Sequence, residues 1–212
     1  MVGRARRLNL TGQAAILSDM THAPAPLHDL TGQLLIAMPD LGDPRFQGSV
    51  VFICRHSADG AMGLIVNKPM PDARFAEMLD QLGIARGPQT PDMGICYGGP
   101  VEMRRGFVLH SAEYVGARAD RLEVDDRYAM SATLDILTDI ARGAGPAQAL
   151  LALGYSGWGP GQLEQEIRQN SWLTAKALPE VVFAPRMAEK WAAALATLGI
   201  SPLTLSSQAG RA

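Results

Sequence analysis

The chain has 212 residues, which suits one domain or one domain with an appendage. Hydrophobic residues make up 47% and charged residues 19%, an ordinary globular composition with enough apolar material for a sizeable core. A formal net charge of -2 excludes an electrostatic reason for strong nucleic-acid binding, which relies on Lys and Arg to neutralise phosphates, and no apolar run approaches the roughly 18 residues of a membrane-spanning helix.

Residues 1–29 are expected to form a flexible arm. "SDMTHAPAPLHDL" carries prolines and polar residues without period, and its His22 and His28 read as solvated side chains rather than metal ligands. Arg4, Arg6 and Arg7 precede "LNLTGQAAIL", but Asn, Thr, Gly and Gln break that run, so it makes a poor signal-peptide core. The expected compartment is the cytoplasm. The two cysteines agree: Cys54 and Cys96 form no C-x-x-C, and Cys54 lies within the apolar run "SVVFIC", where a buried structural thiol is expected.

The body, residues 30–212, opens with a short apolar run from Leu34 to Met38, long enough for a buried strand and too short for a helix. "SVVFICR" is rich in β-branched and aromatic residues, hence a second strand. Asp59-Gly60 signals a hairpin turn, and "GLIVNK" follows as a third strand antiparallel to the second. Phe75, Met78, Leu79 and Leu82 then mark one face of an amphipathic helix closed by Gly83. "GICYGGPV" and "RGFVLHS" predict two more strands, and Ala112 to Asp126 reads as irregular. Ser131 is placed as the N-cap of a helix carrying Leu134, Leu137 and Ile140. "QALLALGYSGW" fits either a strand or a helix by pattern; the Gly turn and new helix that follow favour a strand, with Pro160 in that helix's first turn. "PRMAEKWAAALATLG" predicts a last helix. Hairpins argue against a purely parallel sheet, so the expected fold is α+β: a single compact domain with a mixed, largely antiparallel coiled sheet and helices packed on it.

The densest stretch is "GYSGWGPGQLEQEI", Gly154 to Ile167. It has no G-x-G-x-x-G, and no Lys-Ser or Lys-Thr follows Gly161, so neither nucleotide-loop pattern is met. A bare helix N-terminus could still face an anion, although Glu164 and Glu166 occupy part of that field. Gly154 and Ser156 match part of the nucleophile elbow G-x-S-x-G, but Trp158 stands where the last glycine belongs. The structural reading leads: Trp158 anchors the turn, and Gly157 or Gly159 supplies backbone geometry closed to other residues.

Candidate site residues are Asp43, His56, Asn67, His110, Gly159 and Gln162. His56 and His110 each close a predicted strand and can exchange protons near neutral pH; convergence of the two ends would bring them together with Asp43 or Glu102. Asn67 can cap a strand end, and Asp43 and Arg45 can pair across Pro44. No H-E-x-x-H and no C-x-x-C occurs, so neither a metal nor a cofactor is expected.

"GQLLIAMPDLGDPRFQGSVVFICRHSADGAMGLIVNKP", "YGGPV", "GFVLH", "GYSGWGPGQLEQEIRQNSWL" and "WAAALATLGI", in that order, resemble the YqgE/AlgH family of bacterial proteins. The resemblance covers about residue 30 to 210 and leaves out the N-terminal arm. It implies a compact domain with a coiled, bifurcated mixed sheet, and no established enzymatic activity. Its motifs fall on Asp43, Phe46, His56, Gly63, Asn67, Gly98, Gly99, His110, Gly154, Trp158, Gln162 and Trp172. One member's name reflects proposed transcriptional regulation of exopolysaccharide synthesis, but this sequence shows no helix-turn-helix or basic recognition helix. The reading is therefore a cytoplasmic regulatory or ligand-binding domain with an unidentified small-molecule or protein partner and an indirect influence on transcription. The alternative is an enzyme using His56 or His110 as acid or base on a small substrate.

Overall fold

The computed structural model describes residues 29–116 and 121–205. The arm predicted over residues 1–29, apart from Asp29, lies outside the described residues. These fold as one α+β domain around a nine-stranded sheet. The strands are β1 (Gln33–Ala37), β2 (Val50–Ser57), β3 (Gly60–Ile65), β4 (Ile95–Tyr97), β5 (Val101–Ser111), β6 (Arg121–Glu123), β7 (Tyr128–Ser131), β8 (Ala149–Trp158) and β9 (Trp172–Lys176). The helices are α1 (Phe75–Gln81), α2 (Leu134–Ala141), α3 (Gln162–Arg168), α4 (Pro179–Val182) and α5 (Lys190–Ala196). None of the described helices is long and apolar enough to cross a membrane.

The strand order is β6-β7-β5-β8-β3-β2-β1-β9, with β4 beside β8. All pairings are antiparallel except β4 with β8. The sheet divides along β8. Leu151 to Leu153 pair with β4, whereas Ser156 to Trp158 pair with β3. Gly154 lies between the two halves at φ 74°. There Gly98 and Gly99 press against the chain, and a Cβ on either would overlap the backbone of Gly154 or Tyr155. This contact is the physical reason for the glycine pair.

Both faces of β1–β3 are buried, which explains why these strands read as continuous apolar runs rather than alternating ones. Leu34, Phe52 and Leu64 share a core with Val182 of α4 and Leu195 of α5. Leu35, Ile53 and Ile65 face Trp158, Trp172 and Leu163 of α3. Over β4, β5 and β8, α1 and α2 cover a third cluster containing Phe75, Leu79, Val108, Leu137 and Leu151.

Four local expectations are corrected. Ser131 closes β7 rather than capping a helix; Thr133 is the N-cap of α2. Pro160 precedes α3, whose N-cap is Gly161 at φ 71°. Gly157 and Gly159 do not take positive φ; Gly154 and Gly161 do. The stretch read as irregular contains β6, and β9 and α4 join the predicted elements.

Candidate functional site

Four of the predicted site residues build the face that carries the tryptophans. Asp43 pairs with Arg45 at 2.6 Å and accepts the Arg45 backbone N–H at 2.9 Å; the guanidinium beside it holds its carboxyl below the usual range. Asn67 is buried, accepts the Val50 N–H through Oδ1 and donates through Nδ2 to Gly48 O, both at 2.8 Å. Its amide therefore closes the loop between β1 and β2. That loop carries Phe46, whose ring lies 6.3 Å from Trp158 and 5.7 Å from Trp172. Gln162 accepts the Gly159 N–H at 3.0 Å and donates to Glu166 Oε1 at 2.9 Å. Every one of these polar groups is spent on holding a loop or a helix start.

The two histidines do not converge. β8 and β3 stand between β5, which carries His110, and β2, which carries His56. His56 is buried. Its Nδ1 accepts the Leu30 N–H at 3.2 Å, so its proton sits on Nε2, which donates to Glu164 Oε1 at 3.0 Å. The carboxylate beside His56 is thus Glu164, not Asp43, and the carboxylate of Glu102 pairs with Arg105.

His110 has a different setting. Its ring is fully buried. Ser111 O can only accept, so Nδ1 donates to it at 2.9 Å. In the neutral ring Nε2 then holds a lone pair, and the Ser131 hydroxyl, 3.0 Å away, donates to it. Burial pushes the imidazole pKa down, partly opposed by the Ser111 carbonyl, with Arg121 also lowering it and Glu113 raising it. The ring stays neutral under ordinary conditions. The Tyr114 ring closes over it edge to face at 5.4 Å.

Among the clefts on the surface of the described residues, two are lined by none of the six predicted site residues. The first, about 250 Å³, lies between α1 and α2 above β5 and β8. Met78, Leu82, Ile95, Val108, Leu137 and Leu151 make it apolar, and Ser131 and Thr133 contribute hydroxyl-bearing residues to its wall. Asp72, Arg74, Glu77 and Arg104 add charged side chains to its lining, and neither arginine forms an ion pair among the described residues.

The second cleft, about 440 Å³, is lined by Met93, Gly143, Pro146, Phe183, Pro185 and Lys190 among others. Lys190 is 1% exposed and donates to Val66 O at 3.0 Å and Val182 O at 2.6 Å. Burial lowers its pKa to about 8. The thiol of Cys96, bonded to the same Val66 O, is pushed up to about 11 by burial. Among the described residues no group of three or more His, Cys, Asp or Glu side chains is placed to hold a metal ion.

Ser131 and Lys190 escaped the sequence reading for local reasons. Ser131 resembled a helix cap because a helical stripe follows it. Lys190 was legible only as a lysine on the stripe of Ala194, four positions on and itself buried.

A family model described as AlgH-like, DUF179, matches residues 34–203. A UPF0301 protein of Jannaschia sp. (strain CCS1) is 58% identical over 189 residues, covering 89% of this chain and 98% of its own. One from Bradyrhizobium diazoefficiens is 47% identical over 212 residues, covering 95% and 99%. The solution structure of the AlgH protein from Pseudomonas aeruginosa superposes with a TM-score of 0.71 at 39% identity, over 90% of this chain and 100% of that one. A crystal structure of a Corynebacterium diphtheriae protein shares the fold, with a TM-score of 0.63 at 23% identity over 92% and 96% of the two chains.

Proposed function

The chain belongs to the AlgH-like family, DUF179, and on that premise we propose that it is a ligand-binding domain whose site is the cleft between α1 and α2. The occupant is a small molecule with an apolar body and an anionic head. One observation carries this reading: apolar side chains line the cleft while Arg74 and Arg104, which form no ion pair among the described residues, stand in its lining. Binding sites take this form, with apolar walls for affinity and a few polar groups for orientation. A guanidinium suits a carboxylate or phosphate because its donors match two oxygens at once. The volume falls below the roughly 300 Å³ at the lower end of drug-sized pockets, so the ligand is small.

Any influence on transcription would run through a protein that reads the loaded and empty states. The helices α1 and α2 suit such a readout, because a ligand between them changes their packing. Cytoplasmic residence belongs to the same proposal and is supported by the two free cysteines.

The test is to purify the protein from the cells that express it, denature it, and identify the released small molecules by mass spectrometry. Leu137→Trp, which fills the cleft, and the exposed rim change Arg104→Glu serve as comparisons. An amphipathic acid enriched with the native chain and depleted with both folded variants supports the reading. Equal recovery from all three chains overturns it.

A further inference from the structure

We infer that Ser131 is a nucleophile with His110 as its general base, making the cleft between α1 and α2 a site for hydrolysis of small carboxylic esters. This rests on the reading of that cleft as a ligand site. The register of β5 and β7 sets the pair: Val108 faces Ser131 and His110 faces Ala129, so Ser131 and His110 are diagonal neighbours on one side of the sheet. Their hydrogen bonds run in the direction that catalysis needs. Ser111 O holds the Nδ1 proton, Nε2 keeps its lone pair, and the Ser131 O–H points into it. Nucleophile, base and an orienting third group are all within hydrogen-bond reach. The orienting group is a carbonyl rather than a carboxylate, so the imidazolium formed in the reaction receives less stabilisation than in a Ser-His-Asp triad.

A serine bonded to histidine in a closed core would be structural. Ser131 instead forms part of the cleft wall beside Val108 and Thr133. An acyl group seated on Leu137 and Leu151 would bring its carbonyl to the Ser131 hydroxyl. Next to it starts α2, an eight-residue helix whose N-cap, Thr133, makes no side-chain cap. The backbone N–H groups of the first turn therefore remain available to an oxyanion. His56 offers no such arrangement, because both its nitrogens are committed, to Leu30 and Glu164.

In the first step Ser131 Oγ attacks the ester carbonyl carbon and its proton passes to His110 Nε2. The carbon–oxygen bond to the leaving group breaks, and that oxygen takes the proton from Nε2 to leave as an alcohol. Water then attacks the acyl-serine and gives a proton to Nε2, which returns it to Ser131 Oγ as the acid departs. The sum is ester plus water giving acid plus alcohol, with no further reactant.

The experiment treats the full chain with a tagged alkyl fluorophosphonate and, separately, measures hydrolysis of 4-nitrophenyl butyrate. Peptide mass spectrometry should locate the label on Ser131. Ser131→Ala should abolish labelling, and His110→Asn should slow both reactions by at least about 100-fold. The rate should rise as His110 loses its proton and then level off; Glu113, Arg121 and Tyr114, with Asp139 bonded to the Tyr114 hydroxyl, are the titratable groups around the ring. Ser131→Cys should alkylate faster with native His110 than with His110→Asn, which tests the pairing without ester chemistry. A folded protein that takes no label at Ser131, or takes it elsewhere, overturns the inference. If ligand recovery still depends on Leu137 and Arg104, the cleft reading stands and only the chemistry fails; if recovery is also indifferent to them, both fall.

Discussion

Trp158 and Trp172 meet edge to face with 6.0 Å between ring centroids, and both indole N–H groups donate to Glu166 Oε2, at 2.9 and 2.8 Å. One carboxylate thus ties the end of β8 to the start of β9 across α3. Trp158→Ala should cost about 3–5 kcal/mol, the usual range for removing a large buried aromatic side chain. Glu166→Ala should cost about 2 kcal/mol, because two indole donors lose their acceptor. Ser156→Ala should stay below about 1 kcal/mol, since only a 3.3 Å bond to Gly98 O is lost. Urea unfolding followed by tryptophan fluorescence ranks the three variants.

The glycines of the bend separate by position. Gly99→Ala should destabilise by about 3 kcal/mol, because the new methyl meets the Tyr155 backbone where β8 divides the sheet. Gly159→Ala should stay within about 0.5 kcal/mol: the residue is exposed and a Cβ there meets nothing closer than Gln162 Oε1 at 3.9 Å. Thermal unfolding of the two variants decides the ordering, and equal losses would contradict it.

These positions show what the sequence made legible. The β2–β3 hairpin was readable because Asp59-Gly60 separates two apolar runs, and β8 because an apolar run leads into a glycine turn. β9 was missed because Thr174 and Lys176 interrupt its five residues; its pairing with β1 makes it a strand. α4 is a four-residue helix starting at a proline, too short for any periodic signal. Asn67, Trp158 and Gln162 stood out as unusual residues, and their bonds hold the fold. The cleft left no local trace, because ordinary apolar residues from α1, β4, β5, α2 and β8 surround it.

Acid should weaken the fold through His110. Burial lowers its folded pKa below the ordinary value of about 6.5, so the unfolded chain binds the proton more readily. Stability from this group is therefore fully present above that value and is lost as the pH falls through the lower folded pKa. Denaturant titrations between pH 8 and pH 5 should show a steeper loss for the native chain than for His110→Asn, whose amide can still donate to Ser111 O. Parallel curves would rule out His110 as the source.

Glu164 accepts the Nε2 proton of His56, whose side chain is 1% exposed. Glu164→Ala strands that donor and should cost about 1–3 kcal/mol. It should also speed hydrogen exchange at the Leu30 amide, which donates to the other ring nitrogen. Native-state exchange reads this directly, and unchanged protection at Leu30 would show that Glu164 does not hold the ring in place.

The most direct measurement on the central claim is a methyl NMR titration of the full chain with octanoate, a small apolar carboxylate. Saturable shifts should fall on Val108, Leu137 and Leu151 in the cleft between α1 and α2, and Arg104→Glu should weaken the binding. Absence of saturable change, or shifts gathered instead on Met93, Leu150 and Met187 around Lys190, would contradict the assignment of the ligand site.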